Sequence, residues 1–234
     1  MSTHRRTAVA TGVLFILAAV TSIVGLLQYA PILDHPGYVV GGSAQAARVA
    51  SGALLEVTCA FSIIGTAIVM YPVVRRRSEV AALGYVCFRL LEAAIIVVGI
   101  ISLLSVMTLS QEFARAQSPD AAPYLAASRL LVAQHDWTFL FGPNLALGPS
   151  TLMMGWFLYR SRLVPRWIAA LGIVGGPLIL GSGVLVMFGA YEQISVWGSV
   201  CALPVFLYEM SLAVWLVARG FHPAALAALP ARTA

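Results

Sequence analysis

Residues 80–109 form a long apolar stretch that carries an arginine and a glutamate, Arg89 and Glu92, near its middle. Residues three apart lie on the same face of a helix, so the two side chains are predicted to sit side by side. A charge at the centre of a bilayer costs about 2.5 kcal/mol or more unless it is paired or faces other helices. The stretch therefore predicts a membrane helix whose charged face is turned toward the interior of a bundle.

The rest of the chain extends this interpretation to a polytopic membrane protein. Hydrophobic residues make up 60% of the sequence and charged residues 10%, a balance that excludes an ordinary soluble domain. Six apolar stretches are long enough to cross a hydrocarbon core of about 30 Å. They lie at about residues 7–29, 49–71, 80–109, 130–159, 167–190 and 196–218. We expect an all-α fold, a single domain over residues 1–234 with six transmembrane helices, the first of them too long for a cleaved signal peptide.

Local signals mark irregular points in this bundle. The fourth stretch contains Gly142-Pro143 and Gly148-Pro149, each able to kink the helix or free backbone carbonyls. In the fifth stretch Gly172 and Gly176 form a small-xxx-small step, which allows close contact between helices. Ahead of the fourth stretch, Ser118-Pro119 reads as an N-cap followed by a first-turn proline, so a helix is predicted to start at Pro119.

The arginines predict the orientation in the membrane. Ten lie on the side of the N-terminus: Arg5, Arg6, Arg75, Arg76, Arg77, Arg160, Arg162, Arg166, Arg219 and Arg232. Three lie on the opposite side: Arg48, Arg115 and Arg129. By the positive-inside rule, both termini are predicted to be cytoplasmic. Because the arginines cluster between apolar stretches and not along one face, we expect the lipid bilayer as partner and no nucleic acid.

Polar side chains on different predicted helices lie at similar depths. Counting inward at about 1.5 Å per residue places five of them at about 15 to 24 Å. They are Glu56, Arg89, Glu92, Asn144 and Glu209. One arginine faces three glutamates, so either some carboxyls are protonated or a cation joins them. These residues predict an outward-leaning polar cavity that binds a ligand, although Arg89 with Glu92, and with Glu209, could also be a purely structural interhelical lock.

A metal site is the alternative chemistry that the sequence leaves open. Glu56, Glu92, His135 and Asp136 could supply the ligands of an intramembrane metal hydrolase, but no H-E-x-x-H spacing supports it. The His135-Asp136-Trp137 step is more typical of an interfacial belt than of a ligand pair. No Walker loop or G-x-S-x-G elbow is present, and the single histidine at membrane depth does not support haem. We therefore expect no metal and no cofactor.

Three segments in order resemble a known family. They are Arg89-Leu90-Leu91-Glu92-Ala93, then the run at residues 158–166, then Tyr208-Glu209 followed by Trp215-Leu216 and Gly220. Together they resemble a bacterial multi-pass membrane family of unknown function, domain of unknown function 4386, over most of the chain. The resemblance implies a bacterial plasma-membrane protein of about six helices, and it implies no activity, cofactor or catalytic residue.

The sequence favours a non-enzymatic role, in which the protein binds or passes a small molecule, lipid or ion. In this interpretation Arg89 faces an anion and the glutamates are proton or cation sites. Two alternatives come from other classes of function: a metal-dependent intramembrane hydrolase, and a structural or accessory membrane subunit that uses its glycine-rich fifth helix as the partner face. The identity of the ligand and the oligomeric state stay open.

Overall fold

The computed structural model describes residues 3–116 and 120–230, and it is 87% helix. No strand occurs in these two ranges, so the predicted all-α fold is confirmed. The helices are α1 (Thr3–Gln28), α2 (Ala30–Leu33), α3 (Tyr38–Gly41), α4 (Ala46–Val74), α5 (Glu79–Arg115), α6 (Ala121–Leu140), α7 (Leu147–Ser161), α8 (Arg166–Met187), α9 (Val196–Ala218) and α10 (Pro223–Ala227). A 3₁₀ turn at Gly42–Gln45 precedes α4, and a π-helix at Phe141–Ala146 joins α6 to α7.

Five of these helices, α1, α4, α5, α8 and α9, are long and apolar enough to cross a membrane. They coincide with five of the six predicted stretches, and α5 is the longest at 37 residues. With their apolar exposed surfaces, they are the helices of an integral membrane protein that crosses the bilayer several times. Three of them contain proline, at Pro72, Pro177 and Pro204, without a break in the helix.

The predicted fourth stretch, residues 130–159, is helical but is not one regular α-helix. Pro143 has no N–H to donate, and its ring crowds the preceding turn of an α-helix. The chain widens there into the π-helix, and the Leu147 N–H donates to the carbonyls of both Asn144 and Gly142. The predicted cap at Ser118-Pro119 lies outside the described residues. The observed helix begins at Ala121, next to a hydrogen bond from the Ala122 N–H to Asp120 Oδ1 at 3.0 Å.

The chain forms two compact units, and several helices contribute to both. Unit 1 consists of Met1–Leu17, Ser62–Ala93 and Leu140–Ala234, as far as these are described. Unit 2 consists of Ala18–Phe61 and Ala94–Phe139, again as far as described. The single domain over residues 1–234 stays a prediction, and each unit is described below by itself.

Within unit 1, glycines set the contact of α8 with α7 and α9. A Cβ atom on Gly176 would lie 2.7 Å from the Gly148 carbonyl oxygen, and a Cβ on Gly172 would lie 2.9 Å from the Tyr208 ring. The predicted small-xxx-small step therefore serves two neighbours, with Gly176 against α7 and Gly172 against α9. Only a residue without a side chain allows both approaches.

Within unit 2, a second pair of glycines brings α1 and α4 together. A Cβ on Gly25 would lie 3.3 Å from the Gly52 carbonyl oxygen, and a Cβ on Gly52 would lie 3.1 Å from the Gly25 carbonyl oxygen. Glu56 lies one turn after Gly52, and its Cγ would be 2.9 Å from the Cβ of a residue at position 25. The close approach of the two helices thus places a glutamate directly against α1.

Candidate functional site

Arg89 is the centre of the charged group in unit 1. Its side chain is 3% exposed, and each of its three nitrogens donates a hydrogen bond. Nη1 donates to Glu92 Oε2 at 3.1 Å, Nη2 to Glu209 Oε1 at 2.7 Å, and Nε to the Tyr85 hydroxyl at 3.2 Å. We call Tyr85, Arg89, Glu92 and Glu209 the Arg89 cluster.

The helical repeat of α5 explains three members of the Arg89 cluster. Tyr85 is four residues before Arg89 and Glu92 three residues after it, so all three share one face of α5. Glu209 comes from α9, and the predicted convergence of Arg89 with Glu209 is confirmed by their 2.7 Å contact. The guanidinium carbon also lies 5.4 Å from the centre of the Phe15 ring, a cation–π distance. Hydrogen bonds and aromatic rings together hold Arg89 in a fixed position.

The Arg89 cluster has more acid than base. Two carboxylates share one guanidinium, which leaves one negative charge when both carboxyls are ionised. An uncompensated buried charge is costly, so the cluster is neutral only when it also holds a proton or a small cation. The Glu92 side chain is 4% exposed and the Glu209 side chain 19% exposed, so Glu209 is the more accessible carboxylate.

Tyr208 brings a further polar atom to the Arg89 cluster. Its side chain is 1% exposed, and its hydroxyl makes no hydrogen bond within the described residues. It lies close enough to Arg89 and Glu209 to interact with them electrostatically. Neither Tyr85 nor Tyr208 was predicted from the sequence as a site residue. Their signals were the spacing of four residues from Tyr85 to Arg89 and the adjacency of Tyr208 to Glu209.

Asn144, predicted to line the same cavity, lies in the π-helix of unit 1. Its side-chain oxygen accepts a hydrogen bond from Gln193 Nε2 at 3.4 Å. In the described part of the chain it makes no hydrogen bond to Arg89, Glu92 or Glu209. A role for Asn144 in ligand binding stays a prediction.

The remaining predicted site residues belong to unit 2, where His135 is the central side chain. His135 is 4% exposed, its ring meets the Tyr29 ring edge-on at 6.1 Å between centres, and it stacks on Phe139 at 6.2 Å. Its Nδ1 is 3.4 Å from Oδ1 of Asp136, whose side chain is 66% exposed. The predicted interfacial residues His135, Asp136 and Trp137 therefore differ in exposure. Asp136 and Trp137 face outward, whereas His135 faces the interior.

Glu56 and Tyr29 complete this second group. Glu56 is 9% exposed and lies close enough to His135 and Tyr29 to interact with both. Burial raises the pKa of the Tyr29 hydroxyl well above its ordinary value, and the negative charge of Glu56 raises it further. Tyr29 is fully buried, and its hydroxyl makes no hydrogen bond of normal geometry within the described residues.

The proposed set of metal ligands is distributed over both units. Glu92 belongs to unit 1, whereas Glu56, His135 and Asp136 belong to unit 2. Over residues 3–116 and 120–230, no group of three or more His, Cys, Asp or Glu side chains could hold a metal ion.

Comparison with known proteins finds a family match over most of the chain. A family model described as "Domain of unknown function (DUF4386)" matches residues 10–220, which include both charged groups. No curated protein and no solved structure matches the chain.

Proposed function

The chain belongs to the DUF4386 family, whose function is unknown, and from that premise we propose that it binds or passes a small ligand at the Arg89 cluster. A small cation or a proton is the ligand that the charges favour. The main support for the proposal is that two carboxylates from different helices, Glu92 of α5 and Glu209 of α9, share the buried guanidinium of Arg89.

The charges of the Arg89 cluster favour a cation over an anion as the ligand. Three of the five guanidinium N–H groups already donate to protein oxygens, and an anion would add negative charge to a cluster in which two carboxylates share one guanidinium. A cation or proton instead neutralises the excess carboxylate. In this proposal Arg89 positions Glu92 and Glu209, and Glu209 receives the ligand.

The proposal includes a membrane arrangement. We place the protein in the bacterial plasma membrane with six spans and both termini in the cytoplasm. The span beyond the five candidate helices is the predicted fourth stretch, residues 130–159, which lies where α6, the π-helix and α7 follow one another without a loop. The unequal distribution of arginines supports the orientation, and the family resemblance supports the bacterial membrane.

Ligand-dependent stability tests the proposal. The full chain in lipid nanodiscs is melted while LiCl, NaCl or KCl replaces N-methylglucamine chloride at constant ionic strength, and separately as the pH is lowered. A ligand at about 100 times its Kd stabilises by about 2.7 kcal/mol, so at least one series should raise the Tm of the wild type. E209Q should lose the response. E79Q, which removes an exposed carboxylate of the same unit, should keep it.

The triple variant R89L/E92M/E209M distinguishes a ligand site from a structural lock. It replaces the arginine and both carboxylates with apolar side chains of similar size, a change that proteins often tolerate. If the Arg89 cluster binds the ligand, the folded triple variant loses the cation or proton response. A folded triple variant that keeps the whole response, or a wild type that responds neither to these ions nor to lowered pH, would overturn the proposal.

A further inference from the structure

We propose that Tyr29, Glu56 and His135 form a second site, in unit 2, that binds one exchangeable proton shared between Glu56 and His135. The Arg89 cluster contributes no residue to this site, which belongs to a different compact unit. The inference therefore does not depend on the function proposed above.

Packing brings the three side chains together from three parts of the chain. The Gly25–Gly52 contact of α1 with α4 leaves no room for side chains at those positions, so Glu56 of α4 lies against α1. Tyr29 follows α1 directly, and its ring lies 3.0 Å from the position that a Cβ on Gly52 would take. His135 of α6 reaches the same place, with its ring edge-on to that of Tyr29.

The Tyr29 hydroxyl makes no hydrogen bond within the described residues, which indicates that Tyr29, Glu56 and His135 can rearrange their hydrogen bonds. A buried hydroxyl that donates no hydrogen bond is unfavourable, because it has lost its hydrogen bonds to water without replacement. The acceptor within its reach is Glu56, with which Tyr29 interacts electrostatically. A small movement of either side chain would let the hydroxyl donate to the carboxylate, and that bond would stabilise the ionised form of Glu56.

The other charged groups near Glu56 are exposed, so His135 is the side chain with which Glu56 can share a proton. Arg48 is the nearest arginine on α4, and it is exposed and bonded to Gln28 Oε1 and the Leu27 carbonyl. Gly99 of α5 packs against His135. The ionisable residues that α5 contributes to unit 2, Glu112 and Arg115, are exposed. Among the described residues that face Glu56, His135 is the one whose side chain can carry a positive charge.

Asp136 gives the site a connection to water. Its carboxylate is mostly exposed and lies 3.4 Å from His135 Nδ1. A proton taken from water by Asp136 can therefore pass to the imidazole, which can share it with the buried Glu56 carboxylate. The proton count balances, since one proton leaves the solvent and one is held by the pair.

Infrared difference spectroscopy tests this site with the proton itself as the probe. The full chain in nanodiscs is taken through a pH titration, and the C=O stretch of a protonated carboxylic acid is followed together with histidine ring bands. In the wild type, a carboxylic-acid band and a histidine band should change over the same pH range. E56Q should remove that carboxylic-acid band, while E112Q, which removes an exposed carboxylate of the same unit, should retain it.

Two further variants test the sharing of the proton. In H135Q the Glu56 band should appear at a pH displaced by about one unit or more, a tenfold change in proton affinity, because the carboxylate has lost the group with which it shares the proton. In Y29F the band frequency should change, since one hydrogen-bond donor is lost. E209Q should leave the band in place. Persistence of the whole carboxylic-acid signal in E56Q, or an unmoved Glu56 band in H135Q, would overturn the inference.

Discussion

Arg89 stabilises the fold because its positive charge lies between two carboxylates, those of buried Glu92 and partly buried Glu209. R89L removes the guanidinium and leaves Glu92 and Glu209 without a cation. Breaking a buried ion pair by removing one partner costs about 3 to 5 kcal/mol. We expect R89L to be destabilised by that amount and R89L/E92M/E209M, which also removes the two carboxylates, to recover most of the loss. The unfolding free energy in detergent measures both, and a triple variant no more stable than R89L would contradict this account.

The raised pKa of the Tyr29 hydroxyl predicts that the free energy of unfolding decreases at alkaline pH. Burial and the charge of Glu56 raise the pKa of its hydroxyl above the ordinary value of about 10. The unfolded chain therefore loses this proton first, so the stabilisation is complete below about pH 10 and declines as the pH rises toward the folded pKa. Above pH 10 the unfolding free energy of the wild type should fall more steeply than that of Y29F, by up to about 1.4 kcal/mol per pH unit.

Denaturant titrations at a series of alkaline pH values measure this difference. The offset between the two proteins near neutral pH gives the effect of losing the hydroxyl itself, and only the change of that offset with pH reports ionisation. Parallel curves for the wild type and Y29F above pH 10 would show that Tyr29 is not the group responsible.

At the scale of elements, α8 offers a matched pair of glycines for testing helix contact. A methyl group at Gly176 would lie 2.7 Å from the Gly148 carbonyl oxygen, whereas at Gly181 it would meet nothing within 4 Å. G176A should therefore destabilise by about 1 to 3 kcal/mol through overpacking. G181A should be neutral or stabilising by up to about 1 kcal/mol, because alanine favours the helix. Thermal unfolding of both variants checks the contrast, and equal effects would contradict the close packing of α7 on α8.

The helices show which parts of the fold the hydrophobic pattern of the sequence can predict. Five predicted membrane helices are confirmed because apolar runs of this length have few alternatives in a bilayer. The π-helix at Phe141–Ala146 was not predicted, although Gly142-Pro143 marked its position as irregular. A proline can be absorbed by a kink, by free carbonyls or by a wider turn. The choice depends on neighbouring packing, which the sequence of one stretch does not contain.

The candidate site was predictable to the extent that its residues share a helix. Spacing along α5 gave the pairing of Arg89 with Glu92, and their shared depth with Glu209 suggested the third member. Spacing did not indicate that Glu56 packs with Tyr29 and His135, because that contact depends on the close approach of α1 and α4. Side chains from different helices meet where backbones cross, and the crossings are set by glycines whose partners lie elsewhere in the chain.

At the scale of the whole molecule, the two compact units each contain a buried carboxylate group with a different means of neutralisation. In unit 1 a permanent cation, Arg89, is shared by two glutamates. In unit 2 a titratable imidazole faces one glutamate. The Arg89 cluster and the group of Tyr29, Glu56 and His135 have no residue in common, so a substitution in one removes no member of the other. E56Q and E209Q therefore serve as controls for each other in every titration.

The six-span arrangement predicts where the two ends of the fourth stretch, residues 130–159, lie relative to the membrane. Asp120 and Arg160 are both exposed. If α6, the π-helix and α7 cross the bilayer once, these two positions face opposite sides of it. With Cys59, Cys87 and Cys201 replaced by Ser, Asp120→Cys should react with a membrane-impermeant maleimide in intact bacteria, and Arg160→Cys only after permeabilisation. Reaction of both variants under the same condition would exclude the sixth span, and the reverse pattern would keep the span and invert the orientation inferred from the arginines.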